Sequence, residues 1–180
     1  MNTVIRGRVW KFGNNISTDL MYPGFAKHGK VAKEERKWFC MRSNRPEFAH
    51  SVQPGDIIVG GKNYGCGSAR AAAEILVDLH IGCVLADSFA AIFFRNSIAW
   101  GLPVVELSGI SEMFSEGDIA VVDTVHGTVQ NETTGECRKF SPYPEELLRI
   151  VNAGGMVKLL MKEHESEIKS KETQSHEDNI

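Results

Sequence analysis

The sequence has few cysteines and no pair of them at metal-ligand spacing. The 180 residues include four cysteines, Cys40, Cys66, Cys83 and Cys137, and none of them belongs to a C-x-x-C motif. Structural zinc and iron–sulfur sites depend on closely spaced thiolates. The spacing therefore excludes a sequence-readable metal motif, and we expect no metal site in this chain. Scattered cysteines are also typical of a reduced, cytosolic protein.

Long apolar runs and an excess of basic residues are absent as well. No run approaches the ~20 apolar residues that a membrane helix needs. The N-terminal ten residues carry charge early and lack the apolar centre of a signal peptide. The 20 Lys and Arg residues are balanced by 23 Asp and Glu residues, a net charge of −3, whereas nucleic-acid-binding domains usually have a basic bias. We therefore expect a soluble, cytoplasmic protein that binds neither membrane nor nucleic acid.

The order of apolar segments predicts an α/β fold with a mostly parallel central sheet. Strand-like and helix-like segments alternate through the middle of the chain, which favours parallel strands joined by right-handed crossovers. The predicted strands of this part lie at 3–12, 57–60, 82–86 and 103–107, and the helices at 30–42, 68–80 and 89–100. Short β segments follow at 118–123, 127–130 and 137–140, with a helix at 144–151.

The chain is predicted to form one domain, residues 1–161, and a charged tail, residues 162–180. The tail contains nine charged side chains and only two apolar ones, Ile168 and Ile180. A segment of this composition cannot bury enough apolar surface to order itself, so we expect it to be disordered.

A glycine-rich loop between a predicted strand and a predicted helix is the most informative stretch. Positions 61–70 read G-K-N-Y-G-C-G-S-A-R, and the spacing does not match a Walker A loop, a dinucleotide fingerprint or a hydrolase elbow. Ser68 is predicted near the N-cap of the helix, where it would serve as a simple cap. Arg70 is predicted in the first turn, and its guanidinium can bind a carboxylate through two parallel hydrogen bonds. The alternative to a simple cap is therefore a pocket that binds a carboxylate.

Cys66 allows a second chemical interpretation of the same loop. A thiol near a helix N-terminus has a lowered pKa and can act as a nucleophile. Packing of a small side chain in a tight loop is the simpler explanation, and we favour it. None of the six histidines is spaced with a carboxylate or cysteine in a way that predicts a metal site or a triad.

Three segments of the chain together identify a family. Positions 14–24 read N-N-I-S-T-D-L-M-Y-P-G, positions 55–68 read G-D-I-I-V-G-G-K-N-Y-G-C-G-S, and positions 86–103 read A-D-S-F-A-A-I-F-F-R-N-S-I-A-W-G-L-P. With A-G-G at 153–155, they closely resemble the small subunits of isopropylmalate dehydratase and homoaconitase, relatives of the swivelling domain of aconitase. The resemblance extends over about residues 3–160.

The resemblance implies a swivelling β/β/α three-layer domain and the dehydration and rehydration of a 2-hydroxy di- or tricarboxylate such as a substituted malate. In that family a [4Fe–4S] cluster serves as Lewis acid, and its cysteine ligands lie on a large subunit or on other domains. This chain is thus expected to be a small subunit of a hydro-lyase, active only with a cluster-bearing large subunit.

The resemblance also implies roles for individual residues. Ser68 matches the catalytic serine, whose alkoxide takes a proton from the carbon beside a carboxylate, and Arg70 matches an arginine that holds a carboxylate. Asn63 is expected to order the loop. The residues that match the substrate-binding lining of the same cleft are Thr18, Asp19 and Gly67.

The sequence departs from the family pattern at two places. The family usually reads G-S-S-R-E-H-A where positions 67–73 read G-S-A-R-A-A-A, and loss of one hydrogen bond to a charged group costs roughly 1.5–3 kcal/mol. Many relatives carry an arginine after Pro-Gly, where this chain has Phe25, with Lys27 two residues on. Phe25 and Lys27 are therefore expected to bind a different or more apolar substituent.

Three alternatives remain open at this point. The first is an ordinary 3-isopropylmalate dehydratase small subunit of leucine biosynthesis, a hypothesis that the alanines weaken without excluding. A catalytically decayed regulatory subunit would also explain the alanines. The least favoured hypothesis is a free-standing thiol enzyme that uses Cys66.

Overall fold

The central feature of the protein is a seven-stranded mixed sheet with the order β4-β3-β2-β1-β5-β6-β7. The computed structural model describes residues 4–27, 31–69 and 71–177. The strands are β1 (Val4–Lys11), β2 (Ile57–Gly60), β3 (Cys83–Ala86), β4 (Val104–Glu106), β5 (Ile119–Asp123), β6 (Thr128–Asn131) and β7 (Cys137–Lys139). Strands β1 to β4 pair in parallel, whereas β5 pairs antiparallel with β1, and β6 and β7 continue that antiparallel half.

The described residues also form eight α-helices and one 3-10 helix. They are α1 (Thr18–Met21), α2 (Gly24–Lys27), a 3-10 helix (Lys33–Phe39), α3 (Phe48–Ser51), α4 (Ala72–Asp78), α5 (Ala91–Ala99), α6 (Ile110–Met113), α7 (Glu145–Ala153) and α8 (Met156–Glu177). Helices α4 and α5 form the connections from β2 to β3 and from β3 to β4. The predicted alternation of strand and helix, and the parallel pairing that it favours, are therefore confirmed.

The two faces of the sheet bury separate apolar cores. Successive side chains of a strand point to opposite faces, and every residue of β2 and β3 is buried. Ile58 and Val84 pack with α4, α5 and α7 on one face, whereas Val59 and Leu85 pack on the other with α6, β5 and β6. Helices thus cover one face of the sheet, and α6 with the antiparallel strands β5 and β6 encloses the core on the other face.

Two helices begin later than their sequence patterns predict. Helix α4 starts at Ala72 with Ala71 as its N-cap, so Ser68 does not cap it. Helix α5 starts at Ala91, and neither Asp87 nor Ser88 caps it. The reason is tertiary, because the polar groups of the preceding residues bond to other segments: the Asp87 carboxylate accepts from the backbone N–H and hydroxyl of Ser111.

Two further segments differ from their predicted local structure. The helix predicted over 30–42 is a 3-10 helix restricted to Lys33–Phe39. The chain is helical through Glu177 in the segment for which composition predicts disorder. Helix α8 begins on the core, where Leu159 packs, and Glu163 forms an ion pair with Arg149 of α7. The division into a domain and a tail at 161/162 stays a prediction. No helix within the described ranges is long and apolar enough to cross a membrane.

A buried carboxylate fixes the junction of β1 with the turn before β2. Asp56 is 5% exposed, and its Oδ2 accepts from Trp10 Nε1 at 2.7 Å, from Arg8 Nη2 at 3.0 Å and from the backbone N–H of Gln53 at 3.0 Å. Hydrogen bonds to a buried charged group are stronger than neutral ones. This carboxylate therefore holds the register at which β1 and β2 enter the sheet.

Replacing Asp56 by Ala is expected to lower the free energy of unfolding by about 3 kcal/mol, because the indole N–H of Trp10 and the Arg8 guanidinium lose a shared buried acceptor. Glu136→Ala is the matched control, since its ion pair with Arg138 is exposed and should contribute less than about 1 kcal/mol. Urea denaturation of both variants measures the difference, and equal losses would contradict the role given to Asp56.

Candidate functional site

The three sequence motifs meet at the carboxyl ends of β1, β2 and β3. After these strands end, the chain continues in parallel alignment through isolated bridges between Ser17 and Cys66 and between Tyr64 and Phe89. The glycine-rich loop, residues 61–69, therefore lies between the segment that follows β1 and the segment that follows β3. Ligand sites of open α/β sheets commonly lie at such carboxyl ends.

Backbone hydrogen bonds attach the glycine-rich loop to the segment after β1. The N–H of Lys62 donates to Asn14 Oδ1 at 2.8 Å, and the N–H of Gly65 donates to the carbonyl of Ile16 at 2.8 Å. In the opposite direction the N–H of Thr18 donates to the carbonyl of Cys66 at 2.7 Å. These contacts fix the loop along one edge.

The other edge of the loop is attached to the segment after β3 through Ser88 and Ala90. Ser88 accepts twice: its Oγ from the N–H of Asn63 at 2.8 Å and its carbonyl from the N–H of Tyr64 at 2.9 Å. The N–H of Ala90 donates back to the carbonyl of Tyr64 at 2.9 Å. Asn63 also donates through Nδ2 to Asn15 Oδ1 at 2.9 Å. The side chain and backbone of Asn63 thus connect the loop to both of its neighbours, which is the kind of contact its predicted ordering role requires.

Two glycines of the loop lie where no side chain fits. Gly65 has φ +78°, and a Cβ there would lie 2.2 Å from Phe93 Cγ. Gly67 has φ +106°, and its Cβ would lie 2.6 Å from Thr18 Oγ1. Positive φ is strained for other residues, so both glycines are required for the loop to pack against α5 on one side and α1 on the other.

Ser68 follows Gly67 and is exposed. The next residue, Ala69, donates its N–H to Thr18 Oγ1 at 3.1 Å, and Thr18 itself is 1% exposed. Asp19 comes next in α1, is exposed, and donates its N–H to the capping Ser17 Oγ at 3.1 Å. The structure therefore brings Thr18, Gly67 and Ser68 together at one place, with Asp19 adjacent in the chain. Arg70 lies outside the described residues.

Phe25 forms a second group with Phe39 of the 3-10 helix. The Phe25 side chain is 49% exposed, and its ring meets that of Phe39 edge-on at a centroid distance of 5.1 Å. Among the described residues no hydrogen bond or ring contact joins Phe25 to the glycine-rich loop. Lys27 ends α2, and its side chain lies outside the part of the chain that is described.

The alanines that replace the family's polar residues differ in their surroundings. Ala72 is fully buried and belongs to the core on the helical face of the sheet. Ala69 and Ala71 are only partly buried and pack at the edge of that core. Side chains at positions 69 and 71 are therefore partly accessible from the surface, whereas the side chain at position 72 is not.

Burial removes several titratable groups from consideration as bases or nucleophiles. It raises the pKa of the Tyr64 hydroxyl well above its usual value and also raises the pKa of the thiols of Cys40 and Cys83. Cys137 is exposed on β7, whereas Cys66 is half-buried in the loop. Within 4–27, 31–69 and 71–177, no group of three or more His, Cys, Asp or Glu side chains could hold a metal ion. The described residues of this chain do not fit a cluster site.

Sequence reasoning missed the contribution of Ser88 to the site. A serine directly after a strand and before a helix is normally interpreted as an N-cap, yet its Oγ and carbonyl both bind the glycine-rich loop. Its partners lie about 25 residues earlier, so no local pattern shows the contact. The occurrence of Ser88 within the third motif was the one available signal.

Comparison with known proteins agrees with this arrangement. Residues 18–109 match the sequence model of the aconitase C-terminal domain. The chain is 48% identical over 164 residues to the isopropylmalate/citramalate isomerase small subunit of Methanocaldococcus jannaschii, covering 90% of this chain and 96% of that one. It is 46% identical over 160 residues to 3-isopropylmalate dehydratase small subunit 1 of Thermotoga maritima, covering 88% and 96%. A methanogen homoaconitase small subunit from Methanothermobacter thermautotrophicus is 40% identical over 164 residues, covering 90% and 94%.

A solved structure extends the agreement to the fold. The crystal structure of a 3-isopropylmalate dehydratase from Methanocaldococcus jannaschii superposes with a TM-score of 0.82 at 32% identity, covering 94% of this chain and 99% of that one. The predicted α/β swivelling-domain fold is confirmed, and so is the resemblance to isopropylmalate dehydratase and homoaconitase small subunits, components of aconitase-family hydro-lyases. The chain belongs to the aconitase C-terminal domain family.

Proposed function

We propose that this chain is the small subunit of an aconitase-type hydro-lyase that dehydrates and rehydrates a 2-hydroxy dicarboxylate of the substituted-malate class. The observation that carries the proposal is the exposed Ser68, held directly after Gly67 on a loop that is hydrogen-bonded on both sides at the carboxyl ends of parallel strands. Relatives over most of the chain are named as small subunits of enzymes of this class.

Ser68 is proposed as the proton acceptor. In the dehydration, the C–H bond beside a substrate carboxylate breaks, its electron pair becomes part of the new C=C bond, and the C–O bond on the neighbouring carbon breaks with hydroxide as the leaving group. The Ser68 alkoxide takes the proton and becomes the hydroxyl, which gives a proton back to carbon when hydroxide adds again. Arg70 would hold the adjacent carboxylate through two parallel hydrogen bonds, and Asp19 would line the same cleft.

A second subunit is required by this proposal. We place the [4Fe–4S] cluster that the family uses on a large subunit, since the relatives are named as small subunits. When bound there, the cluster supplies Lewis-acid chemistry at the substrate hydroxyl. What this chain contributes is the base, the carboxylate-binding side chain and the wall of the cleft around α1 and α2.

The substrate substituent is proposed to be apolar. The half-exposed ring of Phe25 packs edge-on against Phe39. Ala69 and Ala71 leave two partly buried methyl groups where the family pattern described above has polar side chains. Lys27 would supply charge at the end of α2. A small apolar group such as methyl or isopropyl suits such a surface better than a further carboxylate does.

Ordinary 3-isopropylmalate dehydratase is the second candidate. It is favoured by the 46% identity to a subunit with that name in Thermotoga maritima. The two candidates share Ser68 and Arg70, and the second restricts the apolar substituent to isopropyl, so a panel of malates with methyl, isopropyl and carboxyalkyl substituents separates them.

Ser68→Ala is expected to lower kcat of the complex reconstituted with its large subunit by at least ~100-fold, because general-base catalysis contributes that much or more. Assembly, followed by the mass of the complex, should be unchanged. Ser141→Ala removes a hydroxyl from another exposed serine and should leave turnover intact. Undiminished turnover in Ser68→Ala would refute the proposed base, and a wild-type complex without activity on any malate would favour a decayed subunit.

Thr18→Val tests whether the buried hydroxyl positions the loop. The change leaves the N–H of Ala69 without its acceptor, at a cost of about 1–3 kcal/mol, so kcat should fall tenfold or more while KM changes little. Thr18→Ser keeps the oxygen and should restore kcat. Thermal melting of both variants separates a folding defect from a displaced base. The direct contact of Thr18 with substrate, which the resemblance implies, stays a prediction.

Phe25→Ala is expected to reduce the preference for an isopropyl over a methyl substituent. The ratio of the two kcat/KM values should fall about tenfold, since small differences in apolar contact are worth 1–3 kcal/mol. Trp38→Ala removes another exposed ring, one that stacks on His50 instead, and should leave the ratio unchanged. An unchanged ratio in Phe25→Ala would show that the substituent binds elsewhere.

A further inference from the structure

The outward face of α8 carries large apolar side chains that no other described residue covers. Val157, Leu160, Met161 and Ile168 are 70%, 56%, 59% and 44% exposed. The opposite side of the helix is occupied, since Leu159 packs on the core and Glu163 pairs with Arg149 of α7. A solvent-facing helix surface is normally polar, and exposed apolar patches of this kind mark interaction sites.

The exposed residues repeat at the spacing seen where two helices pack in a coiled coil. Val157, Met161, His164 and Ile168 follow one another at intervals of four, three and four residues, which keeps them on one stripe. The stripe, defined by these four residues, is about 17 Å long at 1.5 Å per residue. Leu160 lies along one edge of it.

The other edge of the stripe carries one basic and one acidic side chain, so the same edge of a second copy can pair with it. Lys158 and Glu165 are exposed and, being seven residues apart, lie on the same side of the stripe. If two copies of α8 pack antiparallel about a two-fold axis between positions 162 and 163, Lys158 of each copy lies on the same edge of the interface as Glu165 of the other, offset by two residues or about 3 Å along the helix axis. The same axis places Val157 opposite Ile168 and Met161 opposite His164.

We propose that the stripe is covered by a second copy of this chain, with the two α8 helices antiparallel. A two-fold interface needs a surface that matches itself, and this one matches in both its apolar residues and its charges. The short stripe implies weak association, since stable interfaces bury more than about 1,200 Å². The proposal concerns a surface on α8 and does not depend on the proposed catalytic role of Ser68.

Sedimentation equilibrium of the full chain tests the proposal. The apparent mass should rise from 19.9 kDa toward twice that value as the concentration increases through the micromolar range expected of a small interface. Val157→Glu should weaken the dimer at least tenfold, because it places a charge against the apolar Ile168 of the other copy. Val125→Glu alters an exposed apolar residue outside the stripe and should leave the dimer intact.

The orientation is tested by exchanging the two charges. Lys158→Glu alone should weaken the dimer, and the double variant Lys158→Glu with Glu165→Lys should restore it, an outcome that a merely structural effect on α8 would not produce. Circular dichroism verifies that each variant keeps its helix. A chain that stays monomeric at all concentrations would overturn the proposal. So would failure of the charge exchange, or a Val157→Glu defect confined to binding of a large subunit.

Discussion

The site depends on one constraint: the glycine-rich loop must continue the parallel order of the sheet beyond the ends of its strands. Hydrogen bonds from Ile16, Thr18 and Ser88 take up the backbone groups of this loop. Helix α4 begins only at Ala72, beyond the last of these contacts. Ser68 is thus part of an exposed, irregular segment and not a helix cap.

The close packing of the loop explains why its composition is so restricted. Gly67 touches the hydroxyl of Thr18, and Gly65 touches the ring of Phe93. The buried ring of Tyr64 fills the space above Gly60. Small and large residues alternate because two segments approach the loop from opposite sides. The serine that follows is thereby held on a rigid support, which is what a group that must meet a substrate carbon requires.

Much of the sheet could be predicted from the sequence because its signals are local. The runs at 57–60 and 82–86 are short, apolar and bounded by turn residues, and the observed strands coincide with them to within one residue. The start of α4, the role of Ser88 and the 3-10 helix could not be predicted, since each depends on contacts with distant segments. The helical end of the chain also escaped prediction, because composition does not show that α8 begins on a folded core.

The three sequence motifs, each weak by itself, lie together at one edge of the sheet. The central claim of the proposed function is that Ser68 exchanges a proton with the substrate carbon. The most direct test follows loss of a deuterium label from that carbon, by NMR of the substrate and its dehydrated product, in the reconstituted complex. Wild-type complex should remove the label from that carbon at the rate of dehydration, and the Ser68→Ala complex should bind substrate and leave the label in place. Release at the wild-type rate from Ser68→Ala would contradict the assignment.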